Sequence, residues 1–112
     1  MNPILYVTHD LKWYEFALEL PDGNLTTVEF DELEAYAAGL GVSPYVDHVP
    51  NPIVVGRMCD ARGWDIDPIS HELMIGRWVL EALGGAGFLE EAYASASGFR
   101  EMYPQARRRG EP

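Results

Sequence analysis

Residues 13–20 read WYEFALEL, and their strict alternation decides the fold. On an extended chain Tyr14, Phe16, Leu18 and Leu20 share one face while Trp13, Glu15, Ala17 and Glu19 share the other, the period-two pattern of a half-buried strand. Pro21-Asp22-Gly23-Asn24 follows at once. It supplies a fixed φ, a turn-favouring carboxylate and two residues tolerant of positive φ, so the spacing predicts a hairpin. In the returning strand over residues 25–30, Thr26, Val28 and Phe30 are expected on the core face and Leu25, Thr27 and Glu29 on the wet one. Upstream, residues 4–9 are rich in β-formers and complete an antiparallel meander of three strands.

At Asp31 the period changes. Leu33, Tyr36, Ala37 and Leu40 recur at helical spacing, Asp31 with Glu34 has the spacing of a capping box, and Gly39 and Gly41 close the segment. Residues 42–51 contain Pro44 and Pro50 without a clear period and read as a connecting loop. Asn51-Pro52 is a helix-start pair, followed by the stripe Val54, Val55, Met58 and Ala61 and by Gly63. Asp67-Pro68 repeats that signal, and Ile69, Leu73, Gly76, Leu80 and Leu83 form the expected inward stripe of a longer helix stopped by Gly84-Gly85. A last stripe, Leu89, Ala92, Tyr93, Ala96, Phe99 and Tyr103, reads as one helix with Gly98 as its weak point and Pro104 as its end. The expectation is a single α+β domain over residues 1–103, a three-stranded antiparallel meander packed as a two-layer sandwich against three to four helices, with a flexible basic tail at 104–112.

The chain has 112 residues, 47% of them hydrophobic, enough for one core. It has no apolar run of membrane-spanning length, and its first residues lack the basic and small-residue signals of a leader peptide. Cys59 is the only cysteine, so no intrachain disulfide can form, which fits a reducing, cytoplasmic setting.

The formal net charge is −10, and its distribution is uneven. Residues 1–50 hold nine acids, Asp10, Glu15, Glu19, Asp22, Glu29, Asp31, Glu32, Glu34 and Asp47, against Lys12 alone. Such a surface repels a phosphate backbone, which argues against direct nucleic-acid binding and for a basic protein partner. A helix-turn-helix over residues 51–83 is disfavoured on the same ground, because Arg77 is the only basic residue on its second helix.

Several residues carry candidate chemistry. Cys59 with His48 or His71 as base would make a thiol nucleophile, but a lone cysteine beside Met58 reads more readily as a small packed hydrophobe, and Asp60 works against a thiolate. Asp65, Asp67, His71 and Glu72 could supply metal ligands, yet Asp67 has a simpler role as a helix cap, and His71 and Glu72 point about 100° apart on a helix. His9-Asp10 and Asp47-His48 read as solvated pairs, and Gly84-Gly85-Ala86-Gly87 as a turn rather than an anion nest, since neither a Lys-Ser/Thr pair nor a preceding strand accompanies it. No cofactor is implied.

The residues expected to bind a partner are Trp13, Glu15 and Glu19 on the wet strand face, Glu29 at its end, and Asp31, Glu32 and Glu34 beyond it. Trp13 set among carboxylates has the character of an interface anchor, and at a sheet edge it is compatible with a homodimer. The leading expectation is a non-catalytic binding module whose acidic face mimics a phosphate backbone or complements a basic site, as inhibitors, immunity proteins and antidefence proteins do. The alternative is a small enzyme or ligand-binding domain using His, Cys and Asp residues of 47–72 at an oligomer interface.

Overall fold

The computed structural model describes residues 1–10, 13–82 and 85–108, apart from the side chains of Asp10, Trp13 and Ala86. Its radius of gyration is 13.2 Å, the dimension of a folded chain of about 100 residues. Strands β1 (Ile4–Asp10), β2 (Trp13–Glu19) and β3 (Leu25–Val28) run antiparallel, with Leu5 opposite Leu18, Val7 opposite Phe16 and Phe16 opposite Val28. This register places the apolar residues of the alternating stretch on one face: Phe16, Leu18, Leu5 and Val28 are buried together. The turn forms as its residues dictate. Gly23 takes φ 89°, its N–H donates to the Leu20 carbonyl at 2.8 Å, and the Asp22 carboxylate accepts from the Asn24 N–H at 3.0 Å.

Among the described residues the sheet has four strands, not three. A two-residue strand β6 (Asp65–Ile66) lies parallel to β1, giving the order β3-β2-β1-β6. Nothing in a two-residue segment produces a period, so it is invisible to alternation. Its backbone declares it instead, through Asp65 N–H to Pro3 carbonyl and Asp67 N–H to Leu5 carbonyl, both 2.8 Å. The third strand is also shorter than expected. It ends at Val28, Thr26 is exposed, and Phe30 opens helix α1 (Phe30–Leu40). Helix α1 therefore begins before Asp31, and the Asp31–Glu34 capping box does not form; Glu34 accepts a hydrogen bond from the Tyr45 hydroxyl at 2.9 Å instead.

The expected loop at 42–51 contains a second small sheet, β4 (Tyr45–Val46) paired with β5 (Val49–Pro50). Asp47 and His48, at φ 46° and 68°, form its two-residue turn, which requires positive φ at both central positions. Helix α2 (Pro52–Arg62) starts with Asn51 Oδ1 accepting the Ile53 N–H at 3.1 Å and stops at Gly63 with φ 71°. Of its expected stripe, Val54, Val55 and Met58 are fully buried at the centre of the core, whereas Ala61 is exposed and Cys59 takes the inward position instead.

Helix α3 (Pro68–Ala82) reverses the expectation. Its buried residues are Ser70, His71, Met74, Ile75 and Trp78, while Ile69, Leu73 and Leu80 are 70%, 65% and 70% exposed, and Leu83 lies outside the described residues. Two apolar faces run along this helix, and the one carrying the large Met74 and Trp78 packs inward. The last stripe is likewise two helices, α4 (Ala86–Ala94) and α5 (Ser97–Met102), giving five helices among the described residues where three to four were expected. The break falls at Ser95–Ala96 and not at Gly98. Ser95 Oγ donates to the Ala92 carbonyl at 2.7 Å, Ala96 is extended, and the Asp60 carboxylate accepts the Ser97 N–H at 2.9 Å at the start of α5.

Candidate partner-binding face

Because β1 and β2 alternate in register, the face opposite the core collects Ile4, Tyr6 and Thr8 from β1 and Glu15, Ala17 and Glu19 from β2, with Leu25 and Thr27 from β3. Thr8, Glu15, Leu25 and Thr27 are exposed and the others half-buried. The strands differ in length: β3 covers residues 16–19 of β2, so among the described residues no strand pairs with Trp13, Tyr14 and Glu15 on that side. A groove of about 450 Å³ opens there, lined by Thr8, Tyr14, Glu15, Ala17, Thr27, Glu29 and Phe30 among others. Two of the seven residues expected to bind a partner, Glu15 and Glu29, thus line one concavity, while Glu19 stands on the same sheet face four residues further along β2, outside that lining. Trp13 pairs with Asp10 through its backbone; the exposure expected of its side chain lies outside the described residues.

The remaining acids separate into neutralised and open groups. Glu32 pairs with Arg62 at 3.1 Å, and Glu34 is bonded to Tyr45. Burial, and then the carboxylate of Glu34, push the Tyr45 phenol well above its ordinary range. Glu15, Glu19, Glu29 and Asp31 have neither an ion pair nor a side-chain hydrogen bond among the described residues. Asp31 and Glu32 stand in the first turn of α1, where the helix dipole favours negative charge. The acids without any such local role are Glu15 and Glu29 at the groove and Glu19 on the same sheet face.

The residues of the catalytic alternative are dispersed by depth. Cys59 is fully buried, and desolvation, followed by the nearby Asp60, pushes its thiol up to about 12, which suppresses the thiolate. His71 is also fully buried; its Nε2 lies 3.3 Å from the Ala92 carbonyl, and its ring meets Phe99 edge-on at 4.3 Å. A carbonyl only accepts, so Nε2 carries the proton and Nδ1 is left without a hydrogen-bond partner. Burial pushes this imidazole down to about 4. His48 is exposed on the β4–β5 turn.

Asp67 caps α3, accepting from the Ser70 N–H and hydroxyl at 3.0 Å each; Asp65 accepts from Asn2 at 3.3 Å and Glu72 from the Tyr93 and Tyr103 hydroxyls. Among the described residues no three His, Cys, Asp or Glu side chains converge as a metal-ligand set. Gly84 and its part of the glycine-rich turn lie outside the described residues.

Two features escaped sequence reasoning. A second cleft of about 410 Å³ lies at the β6 edge, lined by Ile4, Tyr6, Trp64, Asp65, Phe99 and Met102 among others. Near it Arg108 reaches back to the Asp60 carboxylate and to the carbonyls of Ala94 and Ser95, the latter two at 2.8 and 3.0 Å. The basic character of residues 104–112 was the one signal in the sequence for that contact, and spacing alone could not name its acceptors.

No protein-family model matches the chain, and no curated protein or solved structure shows significant similarity to it.

Proposed function

We propose that this protein is a non-catalytic binding module whose acidic sheet face engages a basic partner protein of the kind that handles nucleic acid, acting there as an inhibitor or immunity-type protein in the cytoplasm. The observation that carries the reading is the groove beyond the end of β3, flanked by Glu15 and Glu29, neither of which pairs with a cation among the described residues. Placed beside an exposed sheet face, such carboxylates can meet the lysines or arginines that a partner uses on phosphate. They would cover that surface and compete with nucleic acid for it. A one-sign face also steers encounter from a distance, which makes association fast and salt-sensitive.

The test is affinity capture from the native host with wild-type protein and with the E15K/E19K/E29K variant, at about 0.05 M and about 0.5 M salt, a range over which the screening length shortens several-fold. A basic protein recovered at low salt, reduced at high salt and lost on charge reversal is the expected result. Undiminished recovery by the triple variant would remove the sheet face from the mechanism. These side chains are exposed or half-buried, so circular dichroism and thermal unfolding of the variant should match the wild type.

A further inference from the structure

Arg108 is held as a bound arginine would be. Its guanidinium donates from Nε to the Ala94 carbonyl at 2.8 Å, and from Nη2 to the Ser95 carbonyl at 3.0 Å and to the Asp60 carboxylate. Nε and Nη2 form one edge of a planar fork that lysine does not possess, and acceptors from two separate elements converge on that edge. The two carbonyls stand at the end of α4, where a helix leaves acceptors unpaired and its dipole favours a cation. The seat is partly buried, with the Arg108 and Asp60 side chains 23% and 21% exposed. Residues 103–107, which lead to it, are exposed apart from a half-buried Ala106, so the tail lies on the surface and is fastened at Arg108.

Asp60 also lines the cleft of about 410 Å³ at the β6 edge, so seat and cleft share a wall. The rest of the lining includes the half-buried Tyr6 and Trp64, the exposed Met102, and the exposed carboxylates of Asp65 and Glu101, with no lysine or arginine among the described residues. Apolar walls suit the aliphatic stem of a long cationic side chain, and acids at the rim suit its neighbours in a basic segment while repelling an anion.

We propose that this cleft and the seat at its rim bind an arginine-bearing segment of a basic polypeptide, and that the chain's own Arg108 occupies the seat in cis as a competitor. The occupant is identified by the group already in place, since acceptors that fit the guanidinium of residue 108 fit one from another chain equally. Asp60 serves the fold through its other oxygen: Oδ1 accepts the Ser97 N–H at 2.9 Å, and Oδ2 takes the arginine. One arginine can therefore replace another without undoing the start of α5. A tethered arginine acts at an effective concentration in the millimolar range, so the tail keeps affinity for such segments low until it is displaced. The site is separate from the groove beside Glu15 and does not depend on the reading given for that face.

Calorimetric titration of the full-length chain with the acetylated, amidated peptide QARRRG, the sequence of residues 105–110, tests this, with QAKKKG as a probe of equal charge. Arg108→Ala should bind QARRRG about tenfold more tightly than the wild type does, because the cis competitor is gone, and should prefer it to QAKKKG. Arg108→Lys, which keeps the cation and loses the fork, should show the same preference with a smaller gain, and it carries the comparison if circular dichroism shows Arg108→Ala to be unfolded. Asp60→Asn added to either variant should abolish binding with circular dichroism unchanged, since the amide retains an oxygen for the Ser97 N–H. In a nitrogen-labelled chain the Ser97 amide and the Trp64 indole should shift on titration. No gain over the wild type in either Arg108 variant, or equal binding of QAKKKG, overturns the proposal. So does binding that survives Asp60→Asn, and so do shifts at Glu15 and Glu29 in place of Ser97 and Trp64, which would seat the peptide in the sheet groove.

Discussion

Gly56 shows how tightly single positions are set. It lies buried in α2 where a Cβ would stand 2.1 Å from Ser95 Oγ and 2.8 Å from Ser95 Cβ. Ser95 cannot swing away, because its hydroxyl is held by the carbonyls of Ala92 and Pro52. Gly56→Ala should therefore cost about 1–3 kcal/mol by overpacking, read as a lower denaturant midpoint with an unchanged slope. His71 makes a second prediction. Its folded value near 4 lies below the ordinary 6.5, so between these limits the unfolded chain binds a proton that the folded chain refuses. Stability is then lost as pH falls through this window, by an amount on the order of 3 kcal/mol when complete. Denaturation midpoints between pH 7 and 4 should show a shallower decline for His71→Gln than for the wild type. An equal decline would mean that this histidine is protonated in the fold.

At the scale of elements, the break between α4 and α5 is made by a residue remote in sequence. Asp60, near the end of α2, accepts the first N–H of α5 and pairs with Arg108. Asp60→Ala removes both partners at a partly buried site and should destabilise by about 1–2 kcal/mol. Asp60→Asn, which keeps the acceptor oxygen, should cost less. Chemical denaturation separates the two variants, and equal losses would show that the charge rather than the cap matters. This also explains why one helix was expected where two stand. The apolar stripe from Leu89 to Tyr103 keeps helical spacing across the break, and the acceptor that restarts the chain belongs to another helix. Helix α3 fails to be read for a related reason. Ile69, Leu73 and Leu80 are as good a stripe as Met74, Ile75 and Trp78, and hydrophobicity alone cannot rank two faces of one helix.

For the whole molecule, charge and apolar surface are kept on different elements: the open carboxylates of Glu15 and Glu29 line the groove at the sheet, while Ile69, Leu73 and Leu80 stand exposed on α3. Capture of a basic partner at the sheet should therefore weaken as salt screens the attraction, whereas a contact made through the aliphatics of α3 would not, so recovery measured across a salt series tells the two surfaces apart.

The amino-acid sequence by itself determined the alternating strand, its hairpin turn, the inward set of Leu18, Phe16 and Val28, the helix starts at Asn51-Pro52 and Asp67-Pro68, and the acidity of the first half. Each of these rests on short-range chemistry: a period of two, a ring that fixes φ, a carboxylate within reach of a nearby N–H. The candidate site was legible as a list of acids, but not as a place. That Glu15 and Glu29 share a groove depends on where β3 stops, and that Glu32 is neutralised depends on Arg62 of α2. Only the tertiary structure decided those points, along with the parallel strand β6, the burial of His71 and the exposure of Ile69, Leu73 and Leu80. All are contacts between residues far apart in the chain, where packing volume and the nearest available partner choose among faces and acceptors that local preference leaves equal.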